Sequence, residues 1–419
     1  MERQLLWTRD FTIITLGTAV STLGNAIAGF AISLLVLDNT GSTLLYAIFM
    51  ACYYAPNVVV PLLAGPYLDR MSRKRVIYTM DFTSSALYLL VWLLLSRGFF
   101  HYWVMLAGVL IIGSINSIYT VAYDSFYPNL VAAGNFTRAY SIASLLYPLA
   151  SFTLPLASVV YRAAGTVAPL FLVNSLLFFT AACFERSIRF QETHMSAAAP
   201  SAHHGLGRFR ADFREGMGYI RSEGGLLVVT AYFFVTMLTG QVNDTLLLPF
   251  FRNHAQLFSA VPVDVVTLYS IVTACGVGGR LVGGLIHYRF VYPTGKKFVI
   301  ALFVYTTITV MSAVELFLPV VPMMLVFFLS GVLSVTSYNI RISATQSYVP
   351  DRIRARFNGT FQMVCSVGQI LGQVLAGVCS QFAQERTIIL WAMALNMAAI
   401  YGIVWPGRQH VKKVYNRQA

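Results

Sequence analysis

Apolar blocks of roughly 20 residues recur about twelve times along this chain, separated by short polar connectors, and nothing else in it constrains the fold as strongly. A helix of that length crosses the ~30 Å hydrocarbon core of a bilayer. The blocks lie near residues 11–37, 42–64, 76–95, 103–123, 139–161, 167–185, 225–250, 263–287, 298–318, 322–342, 358–382 and 387–405. The first lacks a small-residue cleavage site and reads as a retained helix. Only 11% of the 419 residues are charged, against about 25% in soluble domains. The fold class expected is an all-α membrane protein.

A formal charge of +13 raises the question of a nucleic-acid partner. The basic residues fall in alternate connectors, however, with Arg97, Arg162, Arg252 and Arg386 the few on the opposite side. That asymmetry is the positive-inside pattern, and it places both termini in the cytoplasm of a multi-pass cell-membrane protein. The charge therefore reports topology, and no nucleic-acid partner is expected. Cys52, Cys183, Cys275, Cys365 and Cys379 all lie in apolar segments without metal-ligand spacing, so they read as packing residues, with no metal or cofactor implied.

The longest polar connector, 186–224, divides the blocks six and six. The expected domains are an N-terminal bundle over 1–186, a linker over 187–224, a C-terminal bundle over 225–407 and a basic tail over 408–419. Within the linker, Phe209, Phe213, Met217 and Ile220 recur at helical spacing opposite charges, the pattern of a helix lying in the membrane interface. A faint internal repeat supports two pseudo-symmetric halves. Ala122, Ser125 and Pro128 after the fourth block are echoed by Ala344, Ser347 and Pro350 after the tenth, and Arg73-Lys74-Arg75 by Lys296-Lys297.

Between the second and third blocks stands Gly65-Pro-Tyr-Leu-Asp69-Arg70-Met-Ser-Arg73-Lys74-Arg75. It resembles the signature loop of the major facilitator superfamily, and the resemblance implies the twelve-helix fold of that family, with a pathway between two six-helix bundles. It further implies a latch. Asp69 would meet the positive end of the eleventh helix, where free N–H groups favour an anion. Arg73, with Gly65 and Arg70 beside it, would pair with Asp124 to hold the outward-open state. Over most of its length the chain also resembles the macrolide-efflux branch of drug antiporters, through Asn39-Thr40-Gly41-Ser42, the signature loop and the 213–226 stretch. Two features of proton-coupled exporters are missing: Ile112 stands where an arginine is often found in the fourth helix, and the fifth carries Pro148 and Pro155 without the glycine-proline motif.

Ionisable groups in hydrocarbon are expensive and mark substrate or proton sites, or structural partners. Asp244, flanked by Gln241 and Asn243, is the foremost candidate for either role; Glu315 and Arg280 follow. Asp81 reads as a structural group near the inner interface. Neutral candidates for a cavity lining are Asn25, Asn57, Asn116, Tyr119, Tyr147, Tyr338, Asn339, Gln362 and Gln369, each equally suited to an interhelical hydrogen bond. Glycines around Arg280, with Gly368 and Gly372, suit close helix packing.

The function expected is secondary active transport by a monomer, exporting amphipathic or lipophilic small molecules, with lipid around it and with proton-coupled and uncoupled transport both open. A lipid flippase, a polar-solute importer and a non-transporting receptor or scaffold stay open. No HExxH, GxSxG or Walker-type GxxxxGK(S/T) sequence occurs, so neither hydrolytic catalysis nor nucleotide hydrolysis is expected.

Overall fold

The computed structural model describes residues 7–58, 60, 71–131, 139, 142–143, 146, 149–150, 152–190, 192, 206–289, 293 and 295–416. Among these, ten helices are long and apolar enough to cross a membrane, and two shorter apolar helices, Thr43–Val58 and Leu154–Ala164, stand at the second and fifth expected spans. The chain is an all-α, multi-pass membrane protein. Gly65, Asp69, Arg70, Tyr147 and the centre of the linker lie outside the described residues.

The described residues cluster into two units. The first comprises Met1–Ser42 and Cys52–Arg208; the second comprises Thr43–Ala51 and Phe209–Ala419. The helices of the first unit in chain order are α1 (Arg9–Thr40), α2 (Thr43–Tyr54, divided between the units), α3 (Arg73–Ser96), α4 (Tyr102–Phe126), α5 (Leu154–Ala164) and α6 (Ala168–Arg186). Local sequence sets their ends. Thr8 caps α1 by accepting from the Phe11 amide at 3.2 Å, and Gly41 closes it in the left-handed region at φ 61°, where a side chain would be strained. Ser72 caps α3 through the Arg75 amide at 3.2 Å.

Within the first unit α6 packs against both α1 and α3, and α4 against α3. The α3–α6 seam is joined by reciprocal bonds: the Ser85 hydroxyl donates to the Ser175 carbonyl at 2.8 Å and the Ser175 hydroxyl to the Ser85 carbonyl at 2.9 Å. Without a hydrophobic drive between helices in lipid, such bonds and close packing hold the bundle. At one end Phe11, Ile14, Val76, Ile77, Ala122 and Phe126 form a buried cluster.

The second unit adds α7 (Leu206–Ser222), α8 (Gly224–Asn253), α9 (Val265–Arg289), α10 (Lys297–Val314), α11 (Val320–Tyr348), α12 (Asp351–Cys379), α13 (Glu385–Ala399) and α14 (Arg408–Tyr415). The expected interfacial segment is α7, which buries Ile220 and pairs Glu215 with Arg356 at 2.7 Å. Helix α8 packs on α12 and α13, and α9 on α11. The glycines serve these crossings: Gly279 meets the Phe328 carbonyl of α11, Gly331 meets that of Gly276, and Gly372 meets that of Leu238 on α8. A polar bridge ties three helices where Asn396 donates to Thr309 at 2.8 Å and accepts from Thr236 at 3.1 Å. Where the sequence reads as a basic tail, α14 lays Val411, Val414 and Tyr415 into the unit's core, and the Tyr415 and Tyr305 hydroxyls bond at 2.9 Å.

Candidate functional site

The polar residues singled out in the sequence separate into three places. In the first unit, Asn25 of α1 and Asn116 and Tyr119 of α4 line one small cavity together with Ser21, Asp81, Ser84, Tyr88 and Phe178. Asp81 enters from α3 and is 2% exposed. The Tyr119 hydroxyl donates to Glu185 Oε1 at 2.8 Å. Glu185, in the last turn of α6, is fully buried. It reaches this position because Gly17 of α1 has no side chain: a Cβ there would stand 2.9 Å from Glu185 Cγ. Among the described residues Asp81 Oδ2, Glu185 Oε2 and the Tyr88 hydroxyl are buried without a hydrogen-bond partner. Reasoning from sequence missed Glu185, which next to Arg186 reads as an ordinary helix-end acid; an acid ending an otherwise apolar run was the available signal.

In the second unit Asn243 of α8 donates to Glu315 Oε1 at 2.8 Å. Both are buried, at 9% and 2% exposure, so Glu315, at the end of α10, has an interhelical partner on α8. Asp244, one residue on, points the other way and is exposed, within electrostatic reach of the exposed Arg280 of α9. An acid and a guanidinium on neighbouring helices are a pair able to offset each other's charge within the spans. Gln241 flanks Gly372 at the α8–α12 crossing.

The third place is a cation held by rings. The Arg341 guanidinium carbon of α11 lies 5.1, 5.3 and 4.9 Å from the ring centres of Phe233, Tyr338 and Phe361. Contacts of this kind stabilise a charge that has left bulk water. Tyr338 is 55% exposed, so one wall of the cage is a surface of the unit. Asn339 is half-buried beside it, Gln362 is exposed, and the Gln369 amide reaches Met237 Sδ at 3.8 Å. The exposed Asn57 joins none of these groups.

Of the signature loop, Arg73 opens α3 and Asp124 lies exposed in the last turn of α4. The next residue, Lys74, anchors the loop exit: its amide donates to Glu192 at 2.9 Å and its ammonium donates to the Ile188 carbonyl.

Residues 14–373 match the family described as Major Facilitator Superfamily. Macrolide efflux protein A of Streptococcus pyogenes is 23% identical over 293 residues, covering 68% of each chain. Among solved structures, the nucleoside transporter NupG superposes with a TM-score of 0.70 at 14% identity, covering 95% of this chain and 99% of that one. A bacterial homologue of the human lysosomal transporter Spinster, inward-facing and occupied, gives 0.66 at 11% identity over 98% of each. At these identities the structural likeness speaks to fold, while the family match spans most of the sequence. With membrane-spanning helices, buried polar groups at membrane depth and this match together, the chain belongs to the major facilitator superfamily and is a secondary transporter, not an enzyme.

Proposed function

We propose that this transporter exports amphipathic or lipophilic small molecules from the cytoplasm across the cell membrane, by alternating access and as a monomer. The observation that carries the reading is the match to macrolide efflux protein A over two thirds of both chains. Its side chains suit such cargo. Asp244, Arg280, Tyr338 and Gln362 are exposed on their own unit rather than spent in its core, and the Phe233–Tyr338–Phe361 cage offers an aromatic wall beside a charge, the mixed surface that bulky amphipathic ligands favour. The positive-inside pattern supports cytoplasmic termini. The loop acid Asp69, with Arg73 and Asp124, would latch the outward-open state, so that Asp69→Asn impairs transport without impairing insertion.

The reading is tested by expression in a host stripped of its principal drug exporters. Accumulation of a panel of macrolides and lipophilic dyes is then compared with that in cells carrying empty vector. Lower accumulation of at least one compound, lost in Asp69→Asn at equal membrane abundance, is the expected result. Raised accumulation, or none altered while the protein is abundant in the membrane, overturns export of this class.

A further inference from the structure

Two buried carboxyl side chains within electrostatic reach of each other pose a question of charge that the packing of the first unit answers in one way. Asp81 is 2% exposed and Glu185 fully buried, and Asp81 lies within the electrostatic reach of Glu185. The groups facing them come from every helix of the cluster. Helix α1 offers Thr18, Ser21 and Asn25, α3 offers Ser84 and Tyr88, α4 offers Asn116, Tyr119, Tyr123 and Asp124, and α6 offers Glu185 itself. All are neutral or acidic, and among the described residues no arginine, lysine or histidine pairs with either carboxyl. A doubly charged pair in this setting is out of bulk solvent and has no counter-ion among the described residues, whereas a singly protonated pair carries one negative charge stabilised by the Tyr119 hydroxyl.

Three further observations separate this cluster from a structural carboxyl pair. One oxygen of each acid lacks a hydrogen-bond partner among the described residues. The Tyr88 hydroxyl, fully buried and stacked by its ring on Phe178 at 5.4 Å, also lacks one and lines the same cavity. The cavity has about 10 Å³ of free volume, which suits about one water molecule, and its half-buried lining residues Asn25 and Asn116 give it a neutral polar rim towards the unit's surface. Buried polar groups are ordinarily satisfied; four helices converge here on groups that are not.

We propose that Asp81 and Glu185, with Tyr119 and Tyr88, form a binding site for the coupling proton in the first unit, separate from Asp244 in the second. The pair shares one proton in one conformation of the transport cycle and releases it in another, through the Asn25–Asn116 rim. The fourth-helix arginine and fifth-helix glycine-proline motif that the chain lacks are then not needed for coupling. The proposal rests on the exporter reading only for the substrate it drives.

The test has an arm that needs no substrate. Infrared spectra of the purified full chain in lipid, recorded from mildly acidic to mildly alkaline buffer, should show the C=O stretch of a buried protonated carboxyl that titrates, and that is absent from the Asp81→Asn/Glu185→Gln double variant. If the double variant fails to fold, Tyr119→Phe, which keeps both carboxyls and removes one bond, should move the titration midpoint. The second arm uses proteoliposomes. With a transported dye, the double variant should lose gradient-driven transport and keep dye–dye exchange. A band that titrates when no panel compound moves sustains the proton site and sinks the exporter reading instead. The proposal is overturned by the absence of a titrating band in the unmodified protein, by its survival in the double variant, by an unmoved midpoint in Tyr119→Phe, or by removal of the band with sodium at fixed pH.

Discussion

Replacing Gly279 by alanine adds one methyl group at the α9–α11 crossing, and the structure determines what that group meets. Its Cβ would stand 2.8 Å from the carbonyl carbon and 3.1 Å from the Cα of Phe328, with the carbonyl oxygen nearer still. These are backbone atoms of a helix and cannot rotate away, so α9 and α11 must separate. Overpacking of this kind costs about 1–3 kcal/mol, while alanine in place of glycine within a helix returns about 0.5–1 kcal/mol. A net loss of up to about 2.5 kcal/mol follows from those two figures. Gly284, five residues along the same helix, supplies the control, because a Cβ there meets nothing within 4 Å and keeps only the helix-propensity gain. The twin variants should therefore differ by about 1–3 kcal/mol, which is the steric contribution alone. Reversible unfolding in mixed lipid–detergent micelles, read by tryptophan fluorescence, measures the difference. Gly331→Ala meets the same crossing from α11, at the Gly276 carbonyl and 3.0 Å from the Arg280 amide, so its effect should not add to that of Gly279→Ala. Equal stability of the twins, or a less stable Gly284→Ala, would refute the close-approach argument.

Asn243→Leu keeps the volume of the side chain but removes the donor 2.8 Å from Glu315; the loss should be about 1–3 kcal/mol in the same unfolding assay, and Glu315→Gln in that background should recover part of it. Thiol labelling of single-cysteine variants should separate Cys183, exposed on α6, from Cys365, 4% exposed in the core of the second unit. A lipid-soluble maleimide should modify Cys183 in the native protein and Cys365 only after unfolding; equal rates would contradict the packing of α12.

Apolar block length was enough to find the spans, because the thickness of the bilayer imposes a length that any spanning helix must meet. The signature loop carried the family because its glycine, acid and basic residues are adjacent in sequence. Adjacency failed for the first-unit carboxyls. Glu185 is buried because Gly17, in a helix at the far end of the bundle's sequence, leaves room for its Cγ, and no spacing within α6 encodes that vacancy. The same limit hid the partner of Glu315, since Asn243 lies on another helix. Arg341 shows a third form of it, since the rings around it come from α8, α11 and α12.

The docking of α14 sets an order on biosynthesis. Val411, Val414 and Tyr415 belong to the same buried cluster as Leu226, Phe298 and Tyr305, and Asn416 accepts a hydrogen bond from the Phe298 amide at 3.1 Å. The spans of the second unit can enter the bilayer one by one as they leave the ribosome, yet the end of that unit stays open until the chain has been made through Asn416. Between insertion of α13 and docking of α14, a patch of aromatic and aliphatic side chains faces the aqueous phase, and chaperones or membrane proteases will read that interval as incomplete assembly.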